Sequence, residues 1–386
     1  MKKAVMFGGG NIGRGFIGAV LNEAGYHITF ADVNMDLINK LNELGKYTVK
    51  IVDVECREQI VDSVSGVNST TQDVVDEIAG ASLVTTAVGL MILPRIAGAV
   101  ANGIKARKDA GCTEYLNIIA CENAIRASSQ LKKCVYERLD EATVAYADEY
   151  VGFPDCAVDR IVPPVENDPE RPLDVTVENY YEWSVERSGF KGAIPEVPAM
   201  HIVDDLMAYL ERKLFTLNTG HCITAYLGVM KGYETIDEAI ADEKIYAIVK
   251  GAMTESGNGL IAKHGFKPED HWAYVETSLN RYKNPYLRDV LVRVGREPYR
   301  KLSATDRLVG PMMNARSFGF AVDNLIKGIA AGLHFAYEGD AQSKEMQEKI
   351  REQGVYGTAK ELTGIVDESL LADIVKAYET IREEIQ

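Results

Sequence analysis

In the run ERKLFTLNTGHCITAYLG, Lys213, Asn218 and His221 lie five and three residues apart. An amine that can give up its proton, a carboxamide with two N–H donors and an imidazole are the parts of a hydride-transfer site. Such a site needs a base for a hydroxyl proton and donors for the alkoxide character left behind. On one continuous α-helix the three would fan out by about 140° and 60°, at roughly 100° per residue. They line one site only where the helix is interrupted, and TLNTGH, with asparagine, threonine and glycine adjacent, permits that interruption. A lysine acting as base near neutrality must bring its pKa from about 10.4 to roughly 7–8, a shift of about 3–4 kcal/mol that burial can supply. Glu211 stands close enough to pass the proton on, although an exposed helical glutamate is the plainer reading.

Other routes to alcohol oxidation fit less well. Zinc needs clustered ligands, whereas the histidines at 27, 201, 221, 264, 271 and 334 are scattered and the six cysteines form no C-x-x-C pair. A Y-x-x-x-K pattern occurs twice, as Tyr209…Lys213 and Tyr246…Lys250. Two hits show how common it is by chance, and these tyrosines read as helix packing.

The hydride acceptor has its own signature. KAVMFG runs into GGGNIGRGFIG, so Gly8, Gly10 and Gly13 form a G-x-G-x-x-G between a strand and a helix. Together with Phe7, Gly9, Asn11, Ile12, Arg14 and Gly15, they are the expected pyrophosphate cradle. Nineteen residues beyond Gly13, Asp32 ends the next strand, where a carboxylate accepts from ribose hydroxyls and repels a 2′-phosphate. That favours NAD over NADP. VTTAVG, with Thr85, Thr86 and Gly89, suits an approach to the cofactor at the sheet's carboxyl edge, Thr86 being the expected contact.

Between residues 293 and 307, RVGREPYRKLSATDR concentrates arginine and lysine, and Arg300, Lys301 and Arg307 are candidate ligands for a phosphate. A solvated basic face is the competing reading.

The elements that must position these groups fall in two halves. Short β-branched runs at 4–7, 28–31, 83–86, 116–119 and 158–162 alternate with helical stretches, the pattern of a mostly parallel α/β sheet of Rossmann type. Between Lys46 and Val64 a period-2 pattern predicts an antiparallel insertion, and PPVENDPER at 163–171 predicts a loop. After Met200 the texture becomes amphipathic helix, with hardly another strand, and the last segment carries an apolar stripe expected to pack on this second domain. The expected division is a dinucleotide-binding domain over 1–195 and a mainly α-helical substrate domain over 196–386.

Composition excludes other classes. A chain of 386 residues with net charge −15 and no long basic run is an improbable nucleic-acid partner. No apolar stretch approaches a membrane span, and no signal-peptide pattern or dense cysteine framework appears, so a reduced, cytoplasmic protein is expected. Monomer and homodimer both remain open.

Nearly the whole chain resembles the polyol-specific long-chain dehydrogenases. The likeness rests on GGGNIGRGFIG, FADVN, VTTAVG, NIIACEN, VGFPDCAVDRIVPP, KLFTLNTGH and RYKNPYLRD. The resemblance implies a K-x-x-x-x-N-x-x-H pattern carried by Lys213 as base, Asn218 as oxyanion donor and His221 as substrate-orienting group. Asn123, which ends NIIACEN, would join them from the first domain as a second donor. It also implies NAD as cofactor, no catalytic metal, and a small polyol or polyol phosphate as substrate. The best-matching pair is mannitol 1-phosphate and fructose 6-phosphate. A free-polyol dehydrogenase, a hexuronate reductase and a non-catalytic NAD sensor are the alternatives.

Overall fold

The computed structural model describes residues 2–53, 55–163 and 168–386. It divides into two compact units, Met1–Tyr209 and Leu210–Gln386. In the first, strand β1 (Lys2–Phe7) sends Ala4 and Met6 to one buried face and Val5 and Phe7 to the other. A strand covered on both sides reads as an unbroken apolar run, which is how it looks in the sequence. The next strands are β2 (Tyr26–Asp32), β3 (Lys46–Val52), β4 (Arg57–Asp62), β5 (Val64–Asn68), β6 (Leu83–Thr86), β7 (Leu116–Ala120) and β8 (Val151–Gly152). Six of them form a parallel sheet in the order β5-β2-β1-β6-β7-β8, so the connection reverses between β1 and β6. In such sheets a ligand sits at this switch point, outside the carboxyl ends of the strands.

Helices Gln72–Ala79, Leu93–Asp109 and Ala127–Tyr136 cover one face with Val74, Ile78, Val100, Ile104, Leu131 and Val135. The glycine-rich helix and helix Met35–Leu44 cover the other, together with two small sheets. One holds the expected antiparallel pair β3 and β4, with β10 (Val175–Glu178) added parallel to β3. The second joins β9 (Cys156–Asp159) to β11 (Glu182–Glu186) and β12 (Met200–Val203).

Three expectations change here. The strand read at 158–162 is β9, which ends at Asp159 and pairs antiparallel with β11 outside the main sheet. The antiparallel insertion stops at Asp62, because Ser63 takes a left-handed turn (φ 53°) that lets β5 join β2 in the main sheet. β12 runs from Met200 to Val203, where helix was expected to take over, and pairs with β11. Within the loop read at 163–171, residues 164–167 lie outside the described residues, and Arg171 N–H closes a turn on Asp168 O at 3.0 Å.

The second unit is helical, and its described residues hold no strand, only a bridge between Thr235 and Val290. Helix Asn218–Lys231 buries Ile223, Ala225, Tyr226 and Leu227 completely. Gly328 lets helix Asp323–Leu333 approach it, since an added Cβ would come within 2.5 Å of Ile223 Cδ1. Glu255, on helix Glu243–His264, caps helix Asp323–Leu333 by accepting from the N–H groups of Asn324 and Leu325, each at 2.9 Å. The final helix, Glu368–Ile385, buries Leu370, Leu371, Ile374 and Ile381 and packs on helix Asp323–Leu333. No helix is long and apolar enough to cross a membrane.

His271, 1% exposed, is stacked beside Phe266 and edge-on to Trp272, and neither ring nitrogen has a hydrogen-bond partner among the described residues. Burial, aided by the nearby Arg212, pushes its pKa down to about 4. Above pH 6.5 the ring is neutral both folded and unfolded. As pH falls from there toward 4, the unfolded chain takes up the proton first, so stability drops by about 1.4 kcal/mol per pH unit. Urea unfolding followed from pH 7 to pH 4.5 should therefore show a shallower loss for His271→Leu than for wild type. Parallel slopes would remove His271 from the acid response.

Candidate functional site

At the end of β1 the backbone is too crowded for side chains. A Cβ on Gly8 (φ 93°) would lie 2.5 Å from Ala87 O, and one on Gly13 would lie 2.0 Å from Gly8 O. These contacts hold the turn and press the helix start onto the strand, as the glycine spacing predicts. Gly10 and Asn11 are exposed and Ile12 half-buried, so the open part of the loop is its middle. Phe7 is wholly buried beneath it. Asp32 accepts from Gly9 N–H at 2.7 Å through Oδ2 and from Asn34 N–H at 2.9 Å through Oδ1. The carboxylate at the end of β2 thus also fixes the loop it faces. Crowding that only glycine tolerates, an open helix start and this carboxylate together fit a dinucleotide.

Arg14 and Gly15 face the other way. The Arg14 guanidinium, 7% exposed, donates to Gly9 O at 2.6 Å and to Leu173 O, and burial lowers its pKa. The Gly15 carbonyl accepts from Arg160 at 2.9 Å, and a Cβ there would strike Val175 and Val177. Both residues brace the loop from beneath because the first helical turn, Gly13–Gly18, is a π-turn packed on β10. Thr85 is likewise turned inward, onto Met6 Sδ at 2.9 Å.

Thr86 is fully buried and donates to Glu122 Oε1 at 2.6 Å. Glu122, 6% exposed, also accepts from Val88 N–H at 3.0 Å and Gly89 N–H at 2.9 Å. One carboxylate therefore ties the loop after β6 to the end of β7. In the sequence Glu122 stands in NIIACEN directly before Asn123, with no spacing that marks it as a loop anchor. Asn123 is exposed past the carboxyl end of β7.

The second unit carries the other groups. The helix is not broken at TLNTGH. Instead Lys213–Leu217 is a π-turn, in which the Asn218 N–H reaches back five residues to Lys213 O, and an α-helix continues from Asn218. One extra residue in the turn places positions five apart as positions four apart lie on an α-helix, on one face. Asn218 and His221, three apart, share that face already. Burial agrees: Lys213, Asn218 and His221 are half-buried, whereas Phe215, Thr216, Leu217, Thr219 and Gly220 are buried.

A π-turn displaces carbonyls from their usual partners, and three side chains serve them here. Thr219 Oγ1 donates to Leu214 O at 3.2 Å, Ser256 Oγ to Phe215 O at 2.6 Å, and the Tyr282 hydroxyl to Leu217 O. The Tyr282 ring also stacks on His221, with centroids 5.5 Å apart and planes within 7°. His221 Nε2 lies 2.8 Å from Asp289 Oδ2, while Arg293 binds Asp289 Oδ1. Burial alone would raise the Asp289 carboxyl, but His221 and Arg293 hold it below the ordinary carboxylate range. The Asn218 side chain makes no hydrogen bond with the described residues. Glu211 is half-buried, not exposed, and binds Lys263 at 2.7 Å and His264.

On the opposite flank of Asn218, Thr219 donates to Arg307 O at 2.7 Å, which fixes the basic segment against the helix. Of the three cations there, Arg300 is exposed and bound to Glu297, and Arg307 is bound to Asp306 at 2.7 Å. Lys301 differs. It is 4% exposed, its ammonium has no hydrogen bond or ion pair with the described residues, and burial lowers its pKa.

Residues 2–199 match the mannitol dehydrogenase Rossmann domain and residues 205–385 the mannitol dehydrogenase C-terminal domain. Among solved structures, a D-sorbitol dehydrogenase in substrate-free form superposes with a TM-score of 0.83 at 17% identity, covering 99% of this chain and 93% of its own. A Pseudomonas fluorescens mannitol 2-dehydrogenase, in ternary complex with NAD and D-mannitol, superposes with a TM-score of 0.69 at 16% identity, covering 100% and 92%. At these identities the superpositions establish a shared architecture, and the two domain matches, which between them span almost every residue, carry the assignment: the chain belongs to the mannitol dehydrogenase family.

Proposed function

We propose that the protein oxidises D-mannitol 1-phosphate to D-fructose 6-phosphate with NAD, reversibly and without a catalytic metal. The observation that carries this reading is the π-turn, which lines up an amine, a carboxamide and an imidazole on one half-buried helical face. NAD, when bound, supplies the hydride acceptor. Lys213 takes the hydroxyl proton as the C5 hydrogen leaves as hydride, and returns it in the reverse direction. Asn218 donates to the oxygen as negative charge gathers there, and Asn123 is assigned as a second amide donor. His221 orients the substrate through hydrogen bonding. Gly8, Gly9, Gly10, Asn11, Ile12 and Gly13 are assigned to the pyrophosphate and Asp32 to the adenosine ribose, which favours NAD.

The phosphorylated substrate is supported by Lys301. An ammonium buried without an anion is costly, and a substrate phosphate on this flank of the helix would offset that cost. Arg307 and Arg300 are assigned to the same anion. Asp306, which already holds Arg307 and lies 3.7 Å from Arg300, favours instead an unphosphorylated polyol. The assay separates the two.

Lys213→Ala should lower kcat by about 10²- to 10⁴-fold with NAD binding retained. Activity should also survive exhaustive dialysis against EDTA. Near-normal turnover in the variant refutes the base assignment, and loss of activity on chelation refutes the metal-free chemistry.

Wild type should prefer mannitol 1-phosphate to mannitol. Lys301→Met should raise KM for the phosphorylated substrate by about 10- to 100-fold, the worth of a charge-assisted hydrogen bond. It should leave the weak mannitol activity in place. A wild-type preference for mannitol sinks the phosphate reading and leaves a free-polyol dehydrogenase.

A further inference from the structure

We propose that Asp289 is a positioning residue that fixes which nitrogen of His221 carries the proton, and that Arg293 fixes Asp289 in turn. The inference rests on the reading of His221 as the substrate-orienting group. It starts from the 2.8 Å contact between His221 Nε2 and Asp289 Oδ2. An ionised carboxylate only accepts hydrogen bonds, so the nitrogen facing it must be N–H. In the neutral ring Nδ1 is then bare and can only accept. It therefore binds a hydroxyl hydrogen of a polyol and cannot donate to a carbonyl oxygen while neutral. That narrows what His221 does: it grips an alcohol, and donation to the reacting oxygen is left to the amide side chains.

Contacts on one face and one edge hold the ring in this orientation. Tyr282 lies flat against it, and the Tyr282 hydroxyl is anchored on Leu217 O inside the π-turn. Asp289 is held as firmly. It is 6% exposed, its carbonyl accepts from Ile236 N–H at 2.9 Å, and the next residue forms the Thr235–Val290 bridge. Just before it, Arg288 adopts a left-handed backbone (φ 45°), a conformation a non-glycine residue holds only where the surroundings impose it. Asp289 closes the run RYKNPYLRD, so the run's first turn supplies the stacking ring and its end supplies the carboxylate.

Arg293 gives the inference a sharp test. Its guanidinium has only donors and binds Asp289 Oδ1. In Asp289→Asn the amide oxygen must stay with Arg293, which turns the NH₂ toward His221 Nε2. That nitrogen must then be bare, and the proton moves to Nδ1, facing substrate. In the double variant Asp289→Asn/Arg293→Met the amide is free to rotate, its oxygen can face Nε2 again, and the original tautomer returns.

The enzyme is labelled with ¹⁵N-histidine, and the His221 ring signals are identified by their loss in His221→Gln. Wild type should show the Nε2–H form, Asp289→Asn the Nδ1–H form, and the double variant Nε2–H again. Turnover should follow: kcat down about 10²-fold or more in Asp289→Asn, the scale of a misplaced imidazole proton, with at least about tenfold recovered in the double variant. An Nδ1–H signal in wild type, or one tautomer in all three proteins, overturns the inference. So does a tautomer that switches while kcat stays level. The ring signals need no turnover, so a failure of the Lys213 assignment would leave them in place and the two outcomes stay separate.

Discussion

The placement of Lys213, Asn218 and His221 depends on one extra residue in one helical turn. An α-helix cannot present positions 213 and 218 on the same face, and a broken helix would leave both on a loop with nothing to hold them. The π-turn does what neither can: it shifts the register by one residue while keeping the backbone helical on both sides. Its cost is a set of displaced carbonyls in a buried place, each worth about 1–3 kcal/mol if left unmet. Thr219, Ser256 and Tyr282 meet three of them. Two of those do more than satisfy a carbonyl, because Thr219 also binds Arg307 O and Tyr282 also supports His221. The turn, the basic segment and the imidazole are therefore one mechanical unit.

The first unit solves a similar problem with carboxylates. A parallel sheet ends in loops whose backbone N–H groups have no ladder partner, and those loops must still hold a shape. Asp32 holds two such groups and Glu122 holds two more, along with the Thr86 hydroxyl. Beneath the glycine loop Arg14 and Arg160 do the converse, binding the carbonyls of Gly9 and Gly15. Side chains that look in sequence like ligand contacts thus serve partly as scaffolding. The Arg14 guanidinium is committed to this bracing, while Asp32 stays half-exposed.

What could be read from the residues alone follows from how local each signal is. The strands flanking the glycine loop and the ends of β6 were visible because a doubly buried strand bounded by glycine is an unambiguous pattern. β5 was absorbed into the preceding insertion because alternation continues through Ser63, and only its left-handed turn assigns the next residues to another sheet. β10 to β12 lie in stretches where proline and acids obscure the period, and their partners are distant in sequence. The spacing of Lys213, Asn218 and His221 puts them on one face only where helix geometry gives way, but no local rule separates a π-turn from a break. Asp289, although it closes RYKNPYLRD, did not stand out as a site residue, for a simpler reason. It stands 68 residues beyond His221, and an aspartate after a leucine-arginine pair has no pattern of its own.

Charge explains why the two flanks of Asn218 differ. On the His221 side the charges are paired: Asp289 faces the imidazole on one oxygen and a guanidinium on the other. That flank suits uncharged hydroxyls, which need directional acceptors and donors with no net field. The Thr219 side is uneven, since Glu297 and Asp306 pair with Arg300 and Arg307, whereas the Lys301 ammonium has no ion pair among the described residues. A buried ammonium left this way is destabilising, and a fold that merely filled space there would be better served by methionine or leucine. Retaining the charge makes physical sense where an anion arrives with the ligand.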